Sequence, residues 1–149
     1  MKALEITRFG LDGLVAAERP RPVPGHGEVL VQLKAATLNF HDLATLLGMA
    51  NPRMRLPCVP LSDGAGEIAE IGPGVAGLTL GDRVTSSFFP RWQAGAPTRA
   101  KLSEVPGEHR DGCWADYVVL PATAGSAGVL ARGDAPTASS ASASAGEAA

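Results

Sequence analysis

The sequence predicts a mainly β fold with one or two short helices, and three observations support this prediction. Glycine and proline, with 18 and 12 copies, make up about a fifth of the 149 residues, and both disfavour the interior of a helix. Residues 28–38 alternate between two faces with the two-residue period of a strand. Only residues 39–48 place leucines at helical spacing. We therefore expect short strands joined by turns rather than a helical bundle.

Six segments have the composition and the alternation of strands. They are residues 3–7, 14–18, 28–38, 64–71, 83–89 and 113–120. A turn at residues 10–13 joins the first two, and an extended Pro-rich connector at residues 20–25 precedes the third. A polar loop of more than twenty residues lies between Phe89 and Gly112. Because such a loop is long for a compact domain, we expect it to be functional, mobile or a remnant of a larger unit.

The predicted helix follows the third strand. Asn39 can cap its N-terminus, Asp42 favours its first turn, and Gly48 ends it. Three leucines are expected to face inward: Leu43, Leu46 and Leu47. The period of the sequence therefore changes from that of a strand to that of a helix at Asn39.

Length and composition divide the chain into a folded domain at residues 1–121 and a tail at residues 122–149. Domains typically hold about 100–200 residues, so we expect one domain here rather than an enzyme with both a catalytic and a complete dinucleotide-binding domain. In the tail, 23 of 28 residues are Ala, Gly, Ser, Thr or Pro. Such a segment buries too little apolar surface to offset the entropy of ordering its backbone, and we predict that it is disordered.

Charge and targeting signals exclude several classes of function. The 13 basic and 15 acidic residues give a formal net charge of −2 and form no block, so we expect no binding to nucleic acid or to a membrane surface. The first residues lack the apolar run of a signal peptide, and no stretch approaches the length of a membrane span. Cys58 and Cys113 form no CxxC pair and are expected to be reduced thiols. We therefore expect a cytoplasmic protein.

One apparent nucleotide motif lacks the required context. Residues 72–77, GPGVAG, match GxGxxG and follow a predicted strand. A dinucleotide site needs a helix after the motif, because the helix N-terminus binds the pyrophosphate. Here LTLGDR follows without a helical period, and Pro97 and Thr98 stand where the acidic residue is expected. The motif is better explained as a tight turn between two strands.

A set of motifs in a consistent order and spacing extends over residues 1–121. They are GEVLV at 27–31, LNFHD at 38–42, LPCVPLSDGAG at 56–66, GDRV at 81–84 and YVVLP at 117–121, together with Gly72 and Val75. In these motifs the chain resembles the N-terminal GroES-like catalytic domain of the medium-chain dehydrogenase/reductase superfamily. The resemblance implies a partly open GroES-like barrel. The Rossmann domain that follows in the family has no counterpart in the sequence, so we expect an incomplete member of the family.

The motifs depart from those of the zinc alcohol dehydrogenases at the ligand positions. Those enzymes carry Gly-His-Glu where this chain has Leu61-Ser62-Asp63, and a cysteine where it has Asn39. Catalytic zinc takes three protein ligands from Cys, His or carboxylate, and Asn and Ser are poor zinc ligands. The loop that would hold the family's four-cysteine structural zinc contains no cysteine. The comparison therefore implies that neither zinc site is present.

The zinc-independent quinone oxidoreductase branch is the better match, because its members carry Asn, an aromatic residue and then Asp, as in Asn39-Phe40-His41-Asp42. This branch transfers hydride from NADPH or NADH to a quinone or enone. By resemblance, Asn39 would lie near the nicotinamide and Phe40 would wall the pocket. His41 could donate a proton to the enolate or quinol oxygen, and Asp42 completes the candidate catalytic group.

Each candidate also has a structural role open to it. Asn39 can act as an N-cap alone, His41 can be a solvated side chain, and Asp42 can support the helix dipole. Ser62 and Asp63 are the candidate substrate-pocket residues. Asp63 could instead form a salt bridge with a basic residue, and the sequence leaves both roles open.

Three functions stay open for the chain. The first is the catalytic domain of a truncated NAD(P)H-dependent oxidoreductase, which binds no cofactor by itself because the nucleotide platform is missing. The second is a non-catalytic GroES-like binding module or an inactive fragment. The third is a co-chaperonin analogue, although the sequence shows neither a mobile loop with an apolar anchor nor a ring-forming interface. Exposed strand edges further predict aggregation or self-association.

Overall fold

The structure is a computed structural model that describes residues 1–122 and 130–132. Its elements in chain order are β1 (Lys2–Ile6), a 3₁₀ helix (Leu11–Gly13), β2 (Leu14–Glu18), β3 (Glu28–Thr37), α1 (Phe40–Leu46), β4 (Asp63–Ile71), β5 (Arg83–Ser86), β6 (Tyr117–Pro121) and β7 (Leu130–Arg132). The predicted mainly β fold with short helices is confirmed for this part of the chain. Within the same residues, no helix has the length and apolar character needed to cross a membrane.

The strands form two open sheets. β1 and β2 are an antiparallel hairpin. The second sheet has the order β6-β3-β4-β5-β7, and each neighbouring pair is antiparallel. Isolated bridges from Ala3 to Ala115 and from Ile6 to Cys58 tie the hairpin to the rest of the domain. Within the described residues neither sheet closes on itself, which agrees with the predicted partly open barrel.

The core is built around β3, which lies between β6 and β4. Val29 and Val31 lie on one face of this strand and are almost completely buried. The same apolar cluster contains Leu61, Ile68, Val84, Cys113, Val118 and Leu120. Leu30 points to the opposite face and is also fully buried. Because burying a side chain of this size contributes about 1.5–3 kcal/mol, β3 anchors the sheet and fixes the position of the residues that follow it.

Two strands are shorter than the sequence predicts. β6 begins at Tyr117 instead of Cys113, because Cys113 N–H donates to the Leu61 carbonyl at 2.7 Å, outside the sheet. β5 ends at Ser86 instead of Phe89. There the rings of Phe88 and Phe89 pack edge to face, with centroids 4.7 Å apart, and the chain leaves the ladder. In both places side-chain or backbone partners outside the sheet replace strand pairing.

A short strand lies inside the segment predicted to be a disordered tail. β7 pairs with β5 in the register Val84 to Arg132 and Ser86 to Leu130. The backbone groups along the outer edge of β5 can accept a further strand, and this pairing needs little apolar surface. Residues 130–132 are thus a described strand within the predicted tail, while residues 123–129 and 133–149 lie outside the described residues, and the disorder of the tail stays a prediction.

Candidate active site

The N-terminus of α1 is closed by a reciprocal capping arrangement. Asn39 is extended, with φ −128° and ψ 175°, and its Oδ1 accepts hydrogen bonds from the backbone N–H groups of His41 at 2.8 Å and Asp42 at 3.3 Å. In return, Asp42 Oδ2 accepts from Asn39 N–H at 2.8 Å. Three backbone N–H groups at the helix start obtain side-chain acceptors in this way. The predicted N-cap role of Asn39 is therefore present in the structure.

Asp42 also connects the helix to the start of β4. Its other oxygen, Oδ1, accepts from the backbone N–H of Ser62 at 3.1 Å and from the Ser62 hydroxyl at 3.2 Å. Asp42 is 4% exposed and Ser62 is fully buried. Because buried polar groups need hydrogen-bond partners, this arrangement fixes both residues and uses both oxygens of the Asp42 carboxylate.

The side-chain amide of Asn39 faces the same strand start. Its Nδ2 donates to Asp63 Oδ2 at 2.8 Å and contacts the Ser62 hydroxyl at 3.3 Å. Asp63, half-buried, also lines an open depression of about 210 Å³ between β3, β4 and β5. Asn39, Asp42, Ser62 and Asp63 thus form one hydrogen-bonded group, which we call the cap network.

The approach to the cap network has an unusual backbone. Leu61, immediately before Ser62, has φ 73°, which L-residues other than glycine rarely adopt. Gly107 and Gly112 pack against its backbone, where a Cβ at Gly112 would overlap the Leu61 carbonyl. In zinc alcohol dehydrogenases a glycine stands at this position, as noted above. Leu61 therefore keeps a glycine-like conformation that aims Ser62 and Asp63 at the helix start.

His41 lies beside the cap network and has a different partner. Its Nε2 is closed to solvent and lies 3.0 Å from Glu108 Oε2, off the axis of a hydrogen bond. The ring packs edge-on against Phe88, with centroids 4.9 Å apart. Glu108 is 9% exposed and comes from the long polar loop. Sequence reasoning missed it, because a lone glutamate in a polar loop carries no local signal of burial.

The remaining face of α1 points outward. Phe40 is 78% exposed, so within the described residues it walls no closed pocket. Leu46 is buried as predicted, but Leu43 and Leu47 are 43% and 42% exposed, and the prediction for these two was wrong. The helix instead buries Asp42, Ala44, Thr45 and Leu46. The hydrogen bonds of Asp42 to Ser62 rotate this polar residue inward.

The donors of the cap network do not fit a zinc ion. Asn39 presents an N–H donor toward Asp63, and the Ser62 hydroxyl is bound to Asp42, so Asp63 supplies the one outward carboxylate. Zinc requires three lone-pair ligands at about 2.0–2.3 Å. In the part of the chain that the structure describes, no group of three or more His, Cys, Asp and Glu could hold a metal ion.

The glycine motif at residues 72–77 does not fit a dinucleotide. It lies in the connection from β4 to β5, with no helix after it to bind a pyrophosphate. A Cβ at Gly74 would meet the His26 ring, and one at Gly72 would overlap the Gly25 carbonyl. The motif therefore serves close packing of the turn.

The two cysteines are unsuited to nucleophilic chemistry. Both thiols are buried, and neither forms a disulfide within the described residues. Burial raises the pKa of Cys58 to about 12, with the carboxylate of Asp111 adding to the effect, and burial likewise raises the pKa of Cys113 to about 12. Because the thiolate is the reactive form, these side chains stay protonated at neutral pH.

Comparison with known proteins places this geometry in a family. Residues 25–127 match the family described as the alcohol dehydrogenase GroES-like domain. The chain belongs to this family. Its fold and its relatives place this GroES-like domain in the medium-chain dehydrogenase/reductase superfamily of oxidoreductases.

Three relatives illustrate the range of the match. A zinc-type alcohol dehydrogenase-like protein of Schizosaccharomyces pombe is 47% identical over 98 residues, which cover 66% of this chain and 28% of that protein. The chloroplastic quinone-oxidoreductase QR1 of Triphysaria versicolor is 38% identical over 114 residues, or 74% of this chain and 35% of the relative. The crystal structure of an NAD-dependent alcohol dehydrogenase superposes with a TM-score of 0.73 and 38% identity, covering 89% of this chain and 39% of that one. The GroES-like domain thus spans about a third of these relatives.

Proposed function

We propose that this GroES-like domain provides the acceptor side of a zinc-independent NAD(P)H-dependent oxidoreductase that reduces a quinone or enone carbonyl. The observation that carries the proposal is the hydrogen bond from Asn39 Nδ2 to Asp63 Oδ2. An N–H donor at a position where the zinc enzymes of the superfamily are expected to need a metal ligand supports a reaction without zinc. A quinone oxidoreductase and an NAD-dependent alcohol dehydrogenase among the similar proteins support the same class of chemistry.

In such a reduction, the side chains at the helix start would contact the acceptor and protonate its carbonyl oxygen. A carbonyl that accepts two electrons must also gain a proton on oxygen, and we expect His41, whose side chain is 28% exposed, to supply it. Asn39 positions Asp63 at the rim. Of the two candidate substrate-pocket residues, Ser62 is fully buried. We therefore expect Asp63 to contact the acceptor. Phe40 supplies an exposed ring for an apolar acceptor.

The hydride donor is not assigned to this chain. The residues of the glycine motif do not fit a pyrophosphate, and we expect the GroES-like domain alone to bind neither NADPH nor NADH. NADPH or NADH would have to be held by residues other than those described. We expect the protein to be cytoplasmic. The GroES-like domain would therefore contribute acceptor binding and protonation, and a bound nicotinamide would supply the hydride.

The second candidate function is a non-catalytic GroES-like module. It is favoured by the cap network, because the side chains of Asn39, Asp42 and Ser62 are hydrogen-bonded to other members of the network. A module of this kind would use the same groups only to hold the helix against β4. The two functions differ in whether a small carbonyl acceptor binds at the helix start.

Acceptor binding can be tested by NMR on the 149-residue protein. Titration with 2-methyl-1,4-naphthoquinone is expected to shift the amides of residues 38–42 and 62–64, whereas NADPH at millimolar concentration shifts none. Phe40→Ala should weaken the quinone shifts. Val23→Ala is the matched control, because Val23 is 77% exposed against 78% for Phe40. Quinone shifts that are absent or lie elsewhere would favour the non-catalytic module.

A further control excludes covalent modification by the quinone. Quinones add to thiolates, but both cysteines are buried with pKa values of about 12. The intact mass of the protein after the titration should therefore be unchanged. An adduct would show that the shifts report alkylation instead of binding.

A further inference from the structure

Glu108 is a buried carboxylate between two imidazoles. Its Oε2 lies 3.0 Å from His41 Nε2, and its Oε1 lies 3.6 Å from His109 Nε2. Its side chain is only 9% exposed. A buried carboxylate is costly unless it is paired, and in the described part of the chain these two rings are its ion-pair partners. The two imidazoles are therefore the groups that can compensate the buried charge of Glu108.

The loop around Glu108 is held firmly by backbone hydrogen bonds. The N–H of His109 donates to the Val105 carbonyl at 2.9 Å, and the N–H of Gly107 donates to the Arg110 carbonyl at 2.8 Å. The N–H of Gly112 donates to the Val59 carbonyl at 2.8 Å. This loop also packs against the backbone of Leu61. Glu108 is thus carried on a fixed segment and does not need to be drawn to His41 by the ion pair alone.

The two nitrogens of the His41 ring are in different surroundings. Nε2 is closed to solvent and has no hydrogen-bond partner in the described residues, so the nearby Glu108 carboxylate is the group that compensates its burial. Phe88 packs against the ring at 80°. Since the side chain is still 28% exposed, its accessible surface lies on the rest of the ring. Nδ1 is the nitrogen left for a ligand.

We propose that Glu108 is a positioning residue for His41, holding a proton on Nε2 so that Nδ1 can donate its proton to the acceptor. This inference rests on the proposed function. In the step, the Nδ1–H bond breaks and its electron pair stays on nitrogen, while an O–H bond forms on the acceptor oxygen. The two electrons of the reduction would be supplied by a reduced nicotinamide held outside the described residues. His41 is left as a neutral ring with its Nε2–H proton against Glu108, and solvent returns the proton to Nδ1.

The inference is tested by NMR of the ring nitrogens in ¹⁵N-histidine-labelled protein. The signals of His41 are assigned by their loss in His41→Gln. Long-range couplings should show that the neutral ring of the wild type carries its proton on Nε2. The exchange of this proton with solvent, measured separately, should be slow. Glu108→Ala should speed its exchange roughly tenfold, because the buried carboxylate that lies beside Nε2 is lost. Glu108→Gln, which keeps an acceptor oxygen, should largely restore the slow exchange.

Glu104→Ala is the matched control for a nearby loop carboxylate. Glu104 pairs with Arg91 and Arg110 and does not contact His41, so its removal should leave the His41 signals unchanged. A neutral wild-type ring protonated on Nδ1 would overturn the inference even if the Glu108 variants did not fold. Equal exchange of the Nε2 proton in wild type and a folded Glu108→Ala protein would also overturn it.

The test separates this inference from the proposed function. The ring measurement needs neither acceptor nor nucleotide, so it can succeed or fail without reference to quinone binding. If the quinone shifts residues 38–42 but His41 carries its proton on Nδ1, the positioning role fails alone. If the ring behaves as expected but no quinone binds, the proposed function fails, and with it the catalytic purpose of the pair.

Discussion

The Nδ2 group of Asn39 donates a hydrogen bond to Asp63 Oδ2 at 2.8 Å, across 24 residues of sequence. The two residues belong to different elements, since Asn39 caps α1 and Asp63 begins β4. Asn39 Nδ2 also lies 3.3 Å from the hydroxyl of Ser62, which is fully buried. In this hydrogen bond the amide presents an N–H donor to the carboxylate, whereas a metal ion binds lone pairs.

The first prediction concerns a gain of zinc binding. Asn39→Cys combined with Ser62→His gives Cys, His and the existing Asp63 carboxylate, which is a three-ligand set typical of catalytic zinc. After incubation with zinc and dialysis, the double variant should retain about one equivalent and the wild type none, measured by elemental analysis. Loss of the cap is expected to lower stability by about 1 kcal/mol, so folding is checked in parallel.

Each single variant serves as a control for the double variant. Asn39→Cys and Ser62→His alone each lack a third ligand and should retain much less zinc. Stoichiometric zinc in the wild type would contradict zinc-independence. Failure of a folded double variant to bind would show that the residues do not converge as the structure indicates.

Leu61 provides a second prediction, on backbone strain. Its φ of 73° costs an L-residue about 1–2 kcal/mol, whereas glycine adopts it freely. Both Leu61→Ala and Leu61→Gly lose the packing of a side chain that is 4% exposed. We expect the glycine variant to be more stable than the alanine variant by about 1 kcal/mol in urea unfolding, because only alanine keeps the strain.

Leu30 in β3 is the matched control for this reversal. It is equally buried but lies in a regular strand, where glycine is less stable than alanine by roughly 0.5–1 kcal/mol. Leu30→Ala should therefore unfold at a higher urea concentration than Leu30→Gly. The same order at Leu61 would contradict the strained conformation.

The parts predicted from the sequence are those decided by local physics. The cap of α1 follows from Asn39 and Asp42 three residues apart, and β3 follows from its alternation. The attachment of Asp42 to Ser62 was not predictable, because the partner lies 20 residues away and no local pattern indicates it. That contact places Asp42 inward, which is why the leucine spacing gave the wrong inward face for Leu43 and Leu47.

Glu108 shows the same limit for the candidate site. Its burial results from packing of residues 105–113 against the Leu61 backbone, and this docking is a tertiary event. The start of β6 was misplaced for a related reason, since Cys113 bonds to Leu61 instead of continuing the strand. Residues whose partners lie in the long loop could thus be recognised only from the folded chain.

A third prediction follows from the pairing of Glu28 with Arg110. Arg110 Nη2 lies 2.9 Å from Glu28 Oε1, and the Gly25 N–H donates to Glu28 Oε2 at 3.0 Å. Burial by itself would raise the pKa of Glu28, but the hydrogen bonds from Arg110 and Gly25 outweigh it and hold the pKa below its ordinary value of 4.5. Because the folded-state pKa is the lower one, the pair stabilises the fold above about pH 4.5 and loses this contribution as the pH falls.

Arg110→Met should therefore have a pH-dependent effect. At pH 7 it is expected to lower the free energy of unfolding by about 1.5–3 kcal/mol, the range for a hydrogen bond to a charged group, and the loss should be smaller at pH 3. Urea unfolding at both pH values measures the difference. The exposed Arg53 gives the control variant Arg53→Met, with little effect at either pH. An equal loss at pH 7 and pH 3 would show that Arg110 acts through packing alone.

The last prediction is self-association of the 149-residue protein. Leu38, Phe40 and Met49 are 69%, 78% and 69% exposed around α1, and in the described residues β6 and β7 are the edges of the open sheet. Apolar patches and open edges both favour association. Sedimentation velocity should show a mean mass that rises with protein concentration.

Phe40→Lys with Met49→Lys should shift the association to at least roughly tenfold higher concentration, equivalent to about 1.4 kcal/mol, whereas Val23→Lys, at an exposed apolar residue outside this patch, should not. A compact monomer at high concentration would contradict the prediction, and association unchanged in the double variant would assign it to the strand edges.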